Sequence, residues 1–454
     1  MRILIRGGRV IDPAQHIDQP MNLLLADGKV AALTADTPEA DTVIDAAGKI
    51  VCPGFLDIHM HEDAPEADGR ITPEGCGAIY RTMLRMGVTT GVAGNCGDNE
   101  MDPGDFLDAV DTQRTPIDLA MLAGHTYLRK LAGAADKYAP ATHEQIERMT
   151  ALAGRALQRG CVGISYGIRY VPGITMEELL ATAAPAKKYG RMVTAHIRSD
   201  AAEVFDAARE LLDIGEALGV PIELSHIGSM AGFGQMEEFL ALVDSYRDRG
   251  VQVECDCYPY DAFSTSIGST TYDPGWLERY HCGYDVVELC SGEYKGQRCT
   301  KEIFDKVRAE HPEIHTICHV MQEEDVDRAY LHPHVMLGSD GILNRGDGHP
   351  RAAGAFPRFL AAFVRSGRLS LPEGIRRMST MAAQQLGLPQ KGNLRVGSDG
   401  DVVVFDPETV RDNATFEQNL LPPTGIEWVL VHGVIAAHNG EIVCENAGRS
   451  VRKF

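Results

Sequence analysis

Five times along a chain of 454 residues, an amphipathic run ends at a glycine and passes directly into a short apolar run. The joints are "YRTMLRMG" into "VTTGVAG", "ALAGRALQRG" into "CVGISYG", "TAAPAKKYG" into "RMVTAHI", "LLDIGEALG" into "VPIELSHI" and "LVDSYRDRG" into "VQVECDCY". Gly87, Gly160, Gly190, Gly219 and Gly250 suit the left-handed position that closes a helix. Helices alternating with β-rich runs at about 30-residue spacing predict βα units around a parallel sheet. Adding "GFLDIHMH" before the first joint, "IDLAMLAGH" after it and "HVMLGSDG" at the end brings the count to eight strands, and so to an α/β fold of the (β/α)8 barrel type. An open doubly wound sheet is the weaker alternative, because no glycine-rich phosphate turn follows any strand.

The flanks read differently. Residues 1–52 hold a hairpin turning at Asp27-Gly28, and the C-terminal stretch holds "DGDVVVFD" and a second hairpin turning at Asn439-Gly440. Residues 1–52 and 393–454 are therefore expected to pair into one small β-sandwich beside a barrel of residues 53–392. About 55 residues separate "YPYDAFST" from the last strand, too many for an ordinary connection, which predicts a lid insertion at about 266–330.

Composition narrows the partners. The net charge of −21 would repel phosphate backbones and anionic lipid, so nucleic acid and membrane surfaces are not expected partners. "MRILIRGGRVIDP" lacks the apolar core of a signal peptide, and no apolar run approaches the roughly 18 residues that span a bilayer. A cytoplasmic protein handling small molecules is expected, and a homo-oligomer is compatible with that. Eleven scattered cysteines read as reduced thiols. The close pair Cys255 and Cys257 reads as packed side chains on a strand.

In a barrel the chemistry sits at the carboxyl ends of the strands. The first ends in His59-Met60-His61, and residues two apart on a strand point the same way, so both imidazoles can face one spot. Alone, an HxH pair fits packing as well as ligation. The second strand ends in "GNCG" with Cys96, and two later ones end in His196 ("TAHIRSD") and His226 ("ELSHIGS"). Each has a structural reading of its own. Four histidines and a cysteine at four strand ends nevertheless form a nitrogen and sulfur set suited to zinc. Asp340, in "LGSDG", would elsewhere be a turn aspartate; at the end of the eighth strand it is read as the general base and acid.

These residues resemble the amidohydrolase superfamily, and within it the N-acyl-D-amino acid deacylases. The likeness runs over nearly the whole chain, in "PGFLDIHMHED", "GVTTGVAGNCG", "GISYGIRYVPG", "AHIRSD", "LSHIGS", "DCYPYDAFST", "LGSDG", "GHPRAAGAFPRFL", "MSTMAAQQLGL" and "GSDGDVVVFDPETV", and is weakest at about 266–330. The cysteine of "GNCG" is its most diagnostic residue, since most of the superfamily bridges two metals with a carboxylated lysine. The resemblance implies a zinc-dependent hydrolase that cleaves N-acyl-D-amino acids. It makes Cys96, His196 and His226 the tight zinc ligands, with Cys96 bridging to a weaker second divalent metal on His59 and His61, and Asp340 the catalytic acid and base. Arg351, eleven residues after Asp340, matches the arginine that grips the substrate carboxylate. Tyr170, Tyr258 and Ser264 match polar residues that fix the carboxylate and the scissile carbonyl.

Two departures fall on substrate recognition. Ile227 and Gly228 stand where many relatives carry a second histidine and a lysine, which argues against a strict preference for acidic side chains. The lid also differs, with Cys282, Cys290 and Cys299 in it. A cyclic amidase of hydantoinase or dihydroorotase type is the enzymatic rival, and it needs a lysine that "CVGISYGI" lacks. A barrel kept only as a scaffold is the non-enzymatic rival, which an intact ligand set disfavours.

Overall fold

A computed structural model describes residues 1–71 and 78–454. Its centre is a sheet of eight parallel strands: β1 (Phe55–Asp57), β2 (Val88–Ala93), β3 (Asp118–Gly124), β4 (Gly163–Gly167), β5 (Met192–His196), β6 (Ile222–Leu224), β7 (Val253–Cys257) and β8 (Val335–Leu337). Each strand pairs with its neighbours in chain order, and almost every strand residue is buried, as expected where helices cover the sheet from outside. The five predicted joint glycines all have positive φ, from 61° at Gly190 to 105° at Gly160. At Gly190 the requirement is local: its N–H bonds back to the last turn of the helix Met176–Tyr189, a closure that a residue with a Cβ would strain.

Closure of the barrel decides where the chemistry lies. β8 and β1 meet beyond their ends, where Met60 bridges Gly341, the Asp340 N–H donates to the His59 carbonyl at 2.8 Å, and the His61 N–H donates to the Gly341 carbonyl at 2.9 Å. The two histidines thus lie just past the regular strand, and the bonds that shut the barrel also join them to Asp340.

The two chain ends meet in one continuous nine-stranded sheet, joined where Ile50–Pro53 runs antiparallel to Val402–Phe405. Alternation along that last strand serves two cores. Val402 and Val404 pack with Ile3, Leu23 and Leu430 inside the sheet's own core, while Val403 and Phe405 face the barrel. At the seam Lys391 is buried against Asp118, Asp399 and Asp401, and His432 Nε2 lies 2.9 Å from Asp118.

The insertion before β8 is a small layer of its own. Its antiparallel sheet orders Phe263–Ser266, His315–Cys318 and Val287–Leu289, so structure begins slightly before the expected boundary. The helix Glu323–Leu331, expected within the lid, instead packs on the helix Met236–Asp248 and serves as a barrel helix leading into β8. No helix among the described residues is long and apolar enough to cross a membrane.

Candidate metal centre and substrate cavity

At the carboxyl face the strand ends converge. Cys96 Sγ lies 3.5 Å from His59 Nε2 and 3.5 Å from His226 Nε2. Two groups of donors lie within 4.8 Å of one another, His59–His61–Cys96 and Cys96–His196–His226, and Cys96 belongs to both. The spacing fits a metal: sulfur at about 2.3 Å and nitrogen at about 2.0 Å on one tetrahedral zinc stand roughly 3.5 Å apart. Burial is the largest influence on all three enclosed imidazoles and keeps them neutral, with His59 lowered to about 4, His226 to about 3 and His196 well below its ordinary value. A neutral imidazole has the lone pair that a metal requires. Burial also pushes the Cys96 thiol well up, and the carboxyls of Asp340, Asp256 and Glu223 push the same way. A dication is the charge that would reverse this, so the residues present fit zinc.

Three of these residues are held in left-handed backbone, at φ 52° for Cys96, 36° for His226 and 48° for Asp340. Such positions cost about 1–3 kcal/mol each and persist where the surroundings over-determine them. Two buried acids supply part of that restraint. Asp256, on β7, accepts the His226 backbone N–H at 2.9 Å with one oxygen and meets His59 Nδ1 at 2.9 Å with the other. Asp57, on β1, accepts backbone N–H groups from His59 and Ser339. Burial raises both carboxyls to about 7. Behind Asp256, burial and then the Asp256 charge raise Glu223 well above its ordinary range. Ser229 completes the frame, its hydroxyl 3.0 Å from His226 Nδ1.

Asp340 faces the donors from the opposite side. One oxygen is 3.1 Å from His61 Nε2 and 3.5 Å from His59 Nε2, and the other is 2.9 Å from Arg351. Burial alone would raise this carboxyl, but the Arg351 guanidinium and then His61 hold it well below the usual carboxylate range. Arg351 is itself 1% exposed, and its Nε and Nη1 have no protein partner.

Above this floor lies a cavity of about 440 Å³, bounded by His61, Cys96, His196, His226, Asp340 and Arg351 below and by the insertion above. Tyr170 lines it beside His196, ring centroids 4.6 Å apart, and Ser264 lines it with a buried hydroxyl that has no partner. Tyr258 is fully buried beside the site, its ring 4.5 Å from the Arg351 guanidinium and its hydroxyl 3.8 Å from Met321 Sδ, so it braces the arginine that borders the cavity. His59, fully buried, lies at the floor behind Cys96. The helix Ile227–Ala231 places Gly228 where an added Cβ would lie 3.0 Å from Cys257 Sγ and 3.1 Å from Met321 Cε, so a larger residue there would require these side chains to shift.

Sequence reasoning passed over Asp256, which sits between two cysteines on an apolar strand, and His315, which begins the central strand of the insertion. For Asp256 a signal existed: in "VECDCYPY" it falls on the strand face that points into the barrel.

A parallel barrel with neutral imidazoles, a thiol and an ionised aspartate gathered at its carboxyl face defines a metal-dependent hydrolase. Residues 50–217 and 320–437 match profiles of the amidohydrolase family. The chain is 33% identical to the N-acyl-D-glutamate deacylase of Alcaligenes xylosoxydans xylosoxydans over 95% of its own length and 92% of that protein. Its identity to the D-aminoacylase of the same organism is 30%, over 98% and 96% of the two chains. The crystal structure of N-acyl-D-glutamate deacylase from Bordetella bronchiseptica, complexed with zinc and a phosphonate that mimics the tetrahedral intermediate, superposes with a TM-score of 0.88 at 32% identity and covers 99% of each chain. This chain belongs to the amidohydrolase superfamily, in the branch of the N-acyl-D-amino acid deacylases.

Proposed function

We propose that the protein is a zinc-dependent deacylase that hydrolyses the amide bond of N-acyl-D-amino acids to a carboxylate and a free amino acid. The observation that carries this reading is Cys96 shared between two imidazole sets, with Asp340 and Arg351 beside them under one cavity. Cys96, His196 and His226 would hold the tight ion, and His59 and His61 would hold a second, weaker one beside Cys96. Zinc, when bound, supplies Lewis acidity: it polarises a carbonyl and brings the pKa of a water down to about 7.

The protein's own groups do the rest. Arg351 binds the substrate carboxylate through the donors that Asp340 leaves free, and Ser264 adds its hydroxyl. Tyr170, at the other wall, orients the scissile carbonyl. Asp340, kept ionised by Arg351 and His61, takes up the proton of the attacking water and delivers it to the departing nitrogen. The cyclic amidase reading is weaker, because β4 carries no lysine and Cys96 occupies the shared position. All ten described cysteines are unpaired, which supports a reducing compartment and hence the cytoplasm.

A hydrolysis screen of the zinc-loaded protein tests the reading, with N-acetyl and N-formyl derivatives of D- and L-amino acids beside N-carbamoyl compounds. Turnover of D-isomers is expected. Activity confined to L-isomers or carbamoyl compounds would overturn the substrate assignment.

A further inference from the structure

The insertion carries two buried polar side-chain atoms, Ser264 Oγ and His315 Nδ1, that no protein group satisfies. Its edge strand Phe263–Ser266 borders the cavity, and the central strand begins at His315, which pairs directly with Ser266. Ser264 and Ser266, two residues apart, share that face with His315. The next pair turns the other way: Thr316 donates its hydroxyl to the Thr265 carbonyl at 2.8 Å and meets the Tyr272 hydroxyl at 2.7 Å. His315 has no such partner. Its Nδ1 is buried and unbonded, as is the Ser264 hydroxyl, and both residues line the cavity with Arg351, whose Nε and Nη1 are also unbonded. Each buried polar atom left unpaired costs about 1–3 kcal/mol, so a cluster of them at one cavity calls for a ligand. Burial, and then the neighbouring His61 and Arg351, lower the His315 pKa to about 4. A neutral ring can present Nδ1–H as a donor. Arginine N–H groups, a serine hydroxyl and an imidazole N–H make a donor-rich wall, which suits an anionic oxygen pair.

We propose that His315 is a substrate-binding residue of the insertion, donating from Nδ1 to the same carboxylate that Arg351 and Ser264 hold. The insertion then supplies two of the side chains that read the carboxylate, and recognition of the acid end of the substrate depends on a segment outside the barrel. This rests on the N-acyl amino acid reading above.

The test compares wild type, His315→Ala and His315→Asn, each zinc-loaded, on an N-acetyl-D-amino acid and on its carboxamide, with bound zinc measured in parallel. Asparagine returns an N–H donor near the Nδ1 position. For His315→Ala, KM for the acid should rise roughly tenfold or more, the size of a lost hydrogen bond to a charged group. Its kcat and zinc content should change little, its activity on the carboxamide should stay near wild type, and His315→Asn should recover most of the loss. An unchanged KM, or an equal loss on acid and carboxamide, would overturn the assignment of His315 alone. Failure of the wild type to hydrolyse any N-acyl amino acid would overturn the functional reading and this inference with it.

Discussion

Asp340 touches both the imidazole set and Arg351, so its carboxylate can be changed without removing a ligand from the tight site. Asp340→Asn should keep its zinc, measured by metal analysis after dialysis, and lose about 10²- to 10⁴-fold in kcat, the usual worth of a positioned acid and base. Asp256 acts one step further back. Asp256→Asn leaves a single acceptor oxygen where the carboxylate now serves both His59 Nδ1 and the His226 backbone N–H. Zinc affinity, read by chelator competition, should fall by about 10- to 100-fold. An unchanged affinity would show that His59 and His226 are held by packing alone. At this scale the sequence reading reached the donor atoms that the structure gathers, because "HMH", "GNCG" and the two later histidines each stand at a strand end. It stopped at residues whose roles depend on what lies behind them. Asp256 resembles any strand residue until its partner at position 59 is known, and nothing in "YPYDAFST" tells that the Tyr258 ring stacks on Arg351.

Among the elements, the seam between barrel and terminal sheet makes the sharpest prediction. Burial alone would raise the Asp118 carboxyl, but Lys391 and then His432 hold it at about 2. Its unfolded value is about 3.9, so the contact adds stability that is complete above pH about 4 and drains away as pH falls through about 2. Lys391→Met would leave Asp118, Asp399 and Asp401 facing one another without their shared cation. It should cost about 3–5 kcal/mol in denaturant unfolding and flatten the acid limb of the pH profile. An unchanged midpoint would mean the seam is held by its apolar contacts. Hairpin turns at Asp27-Gly28 and Asn439-Gly440 made the terminal strands legible, and the joint glycines did the same for the βα units. The seam was not legible: its charges come from positions 118, 391, 399, 401 and 432, and spacing says nothing about contacts that only closure of the chain creates. Nor did the stretch 266–330 disclose a three-stranded sheet, since its strands are short and their pairings cross long loops.

For the whole molecule, metal binding and stability are linked. A barrel shut by bonds between His59, His61, Asp340 and Gly341 draws its closure and its donors from one place, so occupancy of the site should stiffen the fold. Zinc that binds only the native state should raise stability by about 2.7 kcal/mol at a free concentration a hundredfold above Kd. The rise in Tm should follow the zinc concentration and be absent in a Cys96→Ala, His226→Ala double variant. The central claim, that a Cys96-centred zinc site performs amide hydrolysis, is tested most directly by titrating metal-free protein with zinc while following hydrolysis of an N-acetyl-D-amino acid, beside Cys96→Ala. The account predicts no turnover without metal, turnover that rises as the first zinc binds, and none restored in Cys96→Ala at the same zinc concentration. Turnover by the metal-free protein, or by Cys96→Ala at the wild-type rate, would contradict it.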